Sequence, residues 1–86
     1  MQQQKDKISK IIGEIVKDIR LKQNKSISLI SAEIGMTKSM WADLEKGIKD
    51  PQLSTIIRIA EALNTPTSEI IKTLENKLGK DFSMLE

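Results

Sequence analysis

Residues 26 to 47 read Ser26-Ile27-Ser28-Leu29-Ile30-Ser31-Ala32-Glu33-Ile34-Gly35-Met36-Thr37-Lys38-Ser39-Met40-Trp41-Ala42-Asp43-Leu44-Glu45-Lys46-Gly47, and they decide the fold. They spell two short helices joined by a tight turn. Ser26 is a good N-cap, because its hydroxyl can accept a bond from one of the first free backbone N–H groups; Leu29, Ile30 and Ile34 then recur at helical spacing. Gly35 stops that helix, since glycine tolerates a left-handed backbone just past a helix end, and Met36 supplies an apolar plug at the turn. Thr37 caps the next helix, on which Met40, Trp41 and Leu44 are expected to face inward. Lys38, Ser39, Ala42, Asp43 and Lys46 then make a small polar outward face, and Gly47 ends the helix.

Upstream, Ile8, Ile11, Ile12, Ile15, Val16 and Ile19 predict a helix from Lys7 to about Gln23, with Gly13 a tolerated local weakness and residues 1–6 a disordered N-terminus. Downstream, Ile48-Lys49-Asp50-Pro51-Gln52 is a loop, because a proline holds the residue before it extended. A fourth helix is expected from Leu53 to Leu63 with Leu53, Ile56, Ile57, Ala60 and Leu63 inward and Asn64 as its left-handed terminator. The fifth helix opens at Thr65-Pro66-Thr67, with Thr65 favoured over Thr67 as the cap, and ends at Gly79 after Ile70, Ile71, Leu74 and Leu78. Residues 79–86 form an apolar tail containing Phe82, Met84 and Leu85. No segment carries a strand signal, so the fold class is all-α, one domain over residues 7–78.

The stretch around the turn resembles the helix-turn-helix of the Cro/CI-type (XRE-like) transcriptional repressors, whose usual pattern is Ser-Gln-x-x-Leu-Ala-x-x-Leu-Gly-Val-Ser-x-x-x-Ile-x-x-Ile-Glu-x-Gly. The likeness rests on Ser26, Ile30, Ile34, Gly35, Met36, Thr37, Trp41, Leu44, Glu45 and Gly47, and continues through Asp50-Pro51, Leu53 to Leu63 and Ser68-Glu69-Ile70. Ile27 stands where the family usually has glutamine, and Ser31 where it usually has alanine. The resemblance implies a five-helix lambda-repressor-like DNA-binding domain with the helix-turn-helix at about 27–46.

It also implies roles. Lys38, Ser39 and Asp43 match residues that touch base edges in the family, with Ala42 between them. Lys38 would donate to guanine, Ala42 would meet a thymine methyl, and Asp43 would accept from a cytosine amino group or orient Lys38 or Lys46. Backbone N–H groups at Ile27 and Ser28, with Lys46 and Lys49, would hold phosphates. Arg20 and Glu45 match a pair that ties the first helix to the third; the plainer reading is two surface charges. Trp41 can stack on a base, but the family pattern makes it core. Family members usually pair, and the fifth helix is their usual pairing surface, so the expected homodimer contact is Ile71, Leu74 and Leu78, with Phe82 and Leu85 covering the surplus stripe Ile8, Ile11 and Ile15 on the first helix.

Composition excludes more than it suggests. A chain of 86 residues makes one domain that buries about two-thirds of its unfolded surface. It holds no cysteine and no histidine, which removes thiolate metal sites, disulfides and most nucleophile-and-base arrangements, so neither catalytic residues, a metal nor a cofactor is expected. No apolar run approaches the roughly twenty residues of a bilayer span, and the polar start Met1-Gln2-Gln3-Gln4 is unlike a signal peptide; the expectation is a cytoplasmic protein with no membrane or small-molecule partner. The net charge of +2 is a poor argument for nucleic acid, and from charge alone the lysines are a solvated surface. The expected partner is a double-stranded DNA operator. The alternative is a helical protein-interaction module, or an antitoxin-type partner protein, on the same fold.

Overall fold

The computed structural model describes residues 2–85, which form α1 (Gln2–Lys22), α2 (Ile27–Ile34), α3 (Lys38–Lys46), α4 (Leu53–Ala62) and α5 (Thr67–Leu78). No strand occurs among the described residues, and this is the all-α, five-helix lambda-repressor-like architecture. The long α1 lies against α3 and α5, α2 packs on α3 and α4, and α4 on α5. Between them sits one core, built from Ile12, Ile15, Val16, Ile30, Ile34, Trp41, Leu44, Ile59, Ala60, Leu63, Ile70 and Leu74.

Four of the five helices end the same way. Asn24, Gly35, Gly47 and Asn64 each take a left-handed backbone (φ 57°, 76°, 76° and 50°). The N–H of the following residue then reaches back to a carbonyl five residues earlier: Lys25 to Arg20, Met36 to Ser31, Ile48 to Asp43 and Thr65 to Ala60. This closure satisfies carbonyls that the last turn of a helix leaves without partners, and it turns the chain sharply enough for the next helix to fold back.

Several expectations are corrected. The helix does not begin at Lys7: α1 runs from Gln2, with the Gln2 amide donating to Asp6 one turn on at 2.9 Å. Extending a helix that already exists costs little beyond propensity, and these residues are adequate helix formers. Met1 and Glu86, which belong to the segments 1–6 and 79–86, lie outside the described residues. Gly13 is no weakness. It is buried, and a Cβ there would stand 2.6 Å from the carbonyl oxygens of Leu44 and Glu45, while a Cβ on Gly47 would stand 2.6 Å from the Cα of Lys10. Two glycines thus let the end of α3 rest directly on the backbone of α1.

The inward faces also differ. Met40 (51% exposed) and Leu29 (48%) point outward from α3 and α2, and on α4 Leu53 (63%) and Ile57 do the same. The stripe that α4 buries is instead Ile59, Ala60 and Leu63, with Ile56 half-buried. Six apolar residues on this short helix exceed one face, and the choice fell to the face that meets both α2 and α5. Helix α4 ends at Ala62, one residue early, and α5 starts at Thr67, with Pro66 in the capping position and no side-chain cap. Thr65 is not the cap: its hydroxyl donates backward to the Leu63 carbonyl at 3.0 Å.

The surplus stripe of α1 is largely used within the chain. Ile15 is buried in the core, and Ile8 and Ile11 pack against it half-buried. Phe82 lies over α1, where the Lys7 ammonium sits 5.6 Å from its ring centroid. Leu74 belongs to the core and Leu78 packs against it, whereas Leu85, 96% exposed, covers nothing.

Candidate nucleic-acid interface

The two short helices are held at both ends by their own sequence. The Ser26 hydroxyl accepts from the Leu29 N–H at 3.0 Å and the Ser26 carbonyl from Ile30, which leaves the N–H groups of Ile27 and Ser28 without an intrahelical acceptor. Thr37 does the same for α3, accepting from Met40 at 3.0 Å through its hydroxyl and from Trp41 through its carbonyl. Ser31 is buried on α2, its hydroxyl donating to the Ser28 carbonyl at 3.2 Å, so this buried polar group is satisfied.

On the outer side of α3, Lys38, Ser39 and Lys46 are exposed, and Ala42 and Asp43 are half-buried. Lys49 and Ser28 are exposed beside them, while Ile27 is half-buried against the core. Lys25 is committed elsewhere: its ammonium reaches Glu33 at 3.1 Å and the Ala62 carbonyl at 3.3 Å. Ile27 and Ala42 line a shallow cleft between α1 and α3, flanked by Lys17 and Lys46 and backed by Arg20 and Glu45. Lys17 was absent from the sequence-based set. The signal for it was one turn of helix: a residue three before Arg20 shares its face, so whatever brings Arg20 to α3 brings Lys17 there too.

The inner side of α3 is tied down by charge and by packing. Arg20 Nε donates to Glu45 Oε2 at 2.5 Å and Nη2 to Oε1 at 3.0 Å, with the two side chains 8% and 7% exposed. The third guanidinium nitrogen, Nη1, donates to the Lys25 carbonyl at 2.8 Å. Hydrogen bonding and charge from Glu45 hold Arg20 above the ordinary guanidinium range, against the opposing effect of burial. Trp41 is fully buried, and its indole Nε1 donates to the same Glu45 Oε2 at 2.6 Å. The sequence marked Trp41 as apolar filling. Its polar handle lies one helical turn from Glu45, a spacing visible in the sequence.

A helix-turn-helix family model matches residues 16–70, well over half of the chain. This protein belongs to the Cro/CI-type helix-turn-helix family. Among curated relatives, the cryptic phage CTXphi transcriptional repressor RstR of Vibrio cholerae is 24% identical over 75 residues, which cover 83% of this chain and 68% of the relative. A Cro/CI-type protein is a DNA-binding transcriptional regulator. In this Cro/CI-type member, among the described residues, no helix is long and apolar enough to cross a membrane.

Proposed function

We propose that the protein is a transcriptional repressor that reads the major groove of double-stranded DNA with α3 and acts as a homodimer. The observation that carries the reading is the two-sided character of α3. Its inner side is held by a nearly buried ion pair and a buried tryptophan, while its outer side offers Lys38, Ser39 and Lys46 without a protein partner among the described residues. A rigid helix with a small, free polar face is what groove entry requires. Lys38, Ser39, Ala42 and Asp43 are the base-reading set. The free N–H groups of Ile27 and Ser28, with Lys46 and Lys49, hold phosphates on either side of it.

Pairing follows from the size of the site. One helix-turn-helix reads only a few base pairs, so a second copy must supply the other half-site about 34 Å away. Since Leu74 is in the core of its own chain, the surface left for pairing is Ile71 and Leu78 on α5, extended by Leu85, with Phe82 seated against α1. The name of the Vibrio cholerae relative, a phage transcriptional repressor, supports repression over activation.

Selection of binding sites from a random DNA pool, followed by titration of the selected site across salt concentration, tests this function. A palindromic site and a log–log slope of about −0.9 per phosphate contact are the expected results. No enriched sequence, with binding that ignores salt, would leave the helical protein-interaction module in its place.

A further inference from the structure

Glu45 Oε2 accepts two buried N–H groups at once, Nε of Arg20 at 2.5 Å and Nε1 of Trp41 at 2.6 Å. An apolar residue at position 41 would fill the same space with no direction to its contact, because packing is non-directional. The indole adds direction. Locked by complete burial, it aims its only donor at a carboxylate one turn further along α3 and thereby selects the Glu45 rotamer that presents both oxygens to the Arg20 fork. Arg20 passes the constraint on to the Lys25 carbonyl, the residue before the Ser26 cap of α2.

We propose that Trp41 is a positioning residue for DNA reading: through Glu45 and Arg20 it sets the tilt of α3 relative to α1 and to the start of α2. The inference rests on the DNA-reading function proposed above. Without the indole donor the carboxylate keeps an unused lone pair and is held by the Arg20 fork alone, so the ion pair can shift as a unit and the C-terminal half of α3, carrying Ala42, Asp43 and Lys46, loses the bond that fixes its direction relative to α1. Base-edge contacts demand tight geometry, whereas long lysine side chains reach phosphates from a range of tilts. Loss of the donor therefore weakens reading of the preferred site more than it weakens binding to random DNA.

The chain has a single tryptophan, so replacing it throughout with β-(3-benzothienyl)alanine, which has the shape of tryptophan and no N–H, changes this one group. The substituted protein should keep its helical circular dichroism and lose about tenfold in affinity for the selected site, with less than about twofold on random DNA. In the unsubstituted protein, the indole N–H proton resonance should lie downfield and move upfield on Glu45→Gln, a measurement that does not depend on the analogue folding. An unchanged ratio of selected-site to random affinity in a folded analogue, or an indole resonance indifferent to Glu45→Gln, overturns the role of Trp41 alone. An unsubstituted protein that binds no DNA overturns the proposed function and this role with it.

Discussion

Gly13 of α1 lies so close to Glu45 of α3 that a Cβ on the glycine would stand 2.6 Å from the Glu45 carbonyl oxygen. That contact makes the end of α3 part of the same body as α1. Gly13→Ala would raise helix propensity by about 0.8–1.0 kcal/mol and still destabilise, because the methyl meets backbone that cannot move aside and overpacking costs about 1–3 kcal/mol. Urea titration should show a lower midpoint at unchanged slope. A stabilised Gly13→Ala protein would show that α1 and α3 stand further apart.

Arg20 and Glu45 should prove strongly coupled. Arg20→Met alone strands a buried carboxylate at a cost of about 3–5 kcal/mol. Adding Glu45→Leu should recover most of that loss but not all, since the Trp41 N–H is then left without an acceptor, at about 1–3 kcal/mol. Additive losses in the double-mutant cycle would contradict the tie. Because the folded pKa of Arg20 is raised, its contribution is complete below the unfolded guanidinium value and is lost only as pH rises through the folded one. The coupling measured at pH 7 should accordingly persist unchanged to about pH 9.

Lys38 and Lys17 should separate on DNA. Lys38→Ala is expected to cost about 1–3 kcal/mol on the selected site and far less on random sequence, as a base contact does. Lys17→Ala, on the flank of the α1–α3 cleft, should weaken both by a similar factor and reduce the salt slope by about one. Equal losses for Lys38→Ala on the selected site and on random sequence would mean that Lys38 does not read sequence.

The proposed pairing surface can be tested without touching the core. Ile71→Lys combined with Leu85→Lys alters one half-buried and one exposed side chain, so thermal stability should hold while the sedimenting species becomes a monomer and affinity for a two-half-site operator collapses. A variant that still sediments as a dimer would move the interface away from α5 and the tail.

The sequence alone determined what neighbours in the chain decide. The Ser26 and Thr37 caps, the left-handed stops at Gly35, Gly47 and Asn64, and the end of α5 at Leu78 each depend on residues within a turn of one another. A hydroxyl three residues from a free N–H, or a glycine after a helical run, means the same thing in almost any protein. Only the tertiary structure decided which side of an over-apolar helix turned inward. It chose Ile59 over Ile57 and Leu53 on α4, left Met40 outside, gave Gly13 its purpose and added the Trp41 indole and the Lys25 carbonyl to the Arg20–Glu45 pair that the family resemblance implied. Those outcomes turn on contacts between segments up to dozens of residues apart, and one helix carrying more apolar residues than a single face needs holds no local record of which neighbours will cover it.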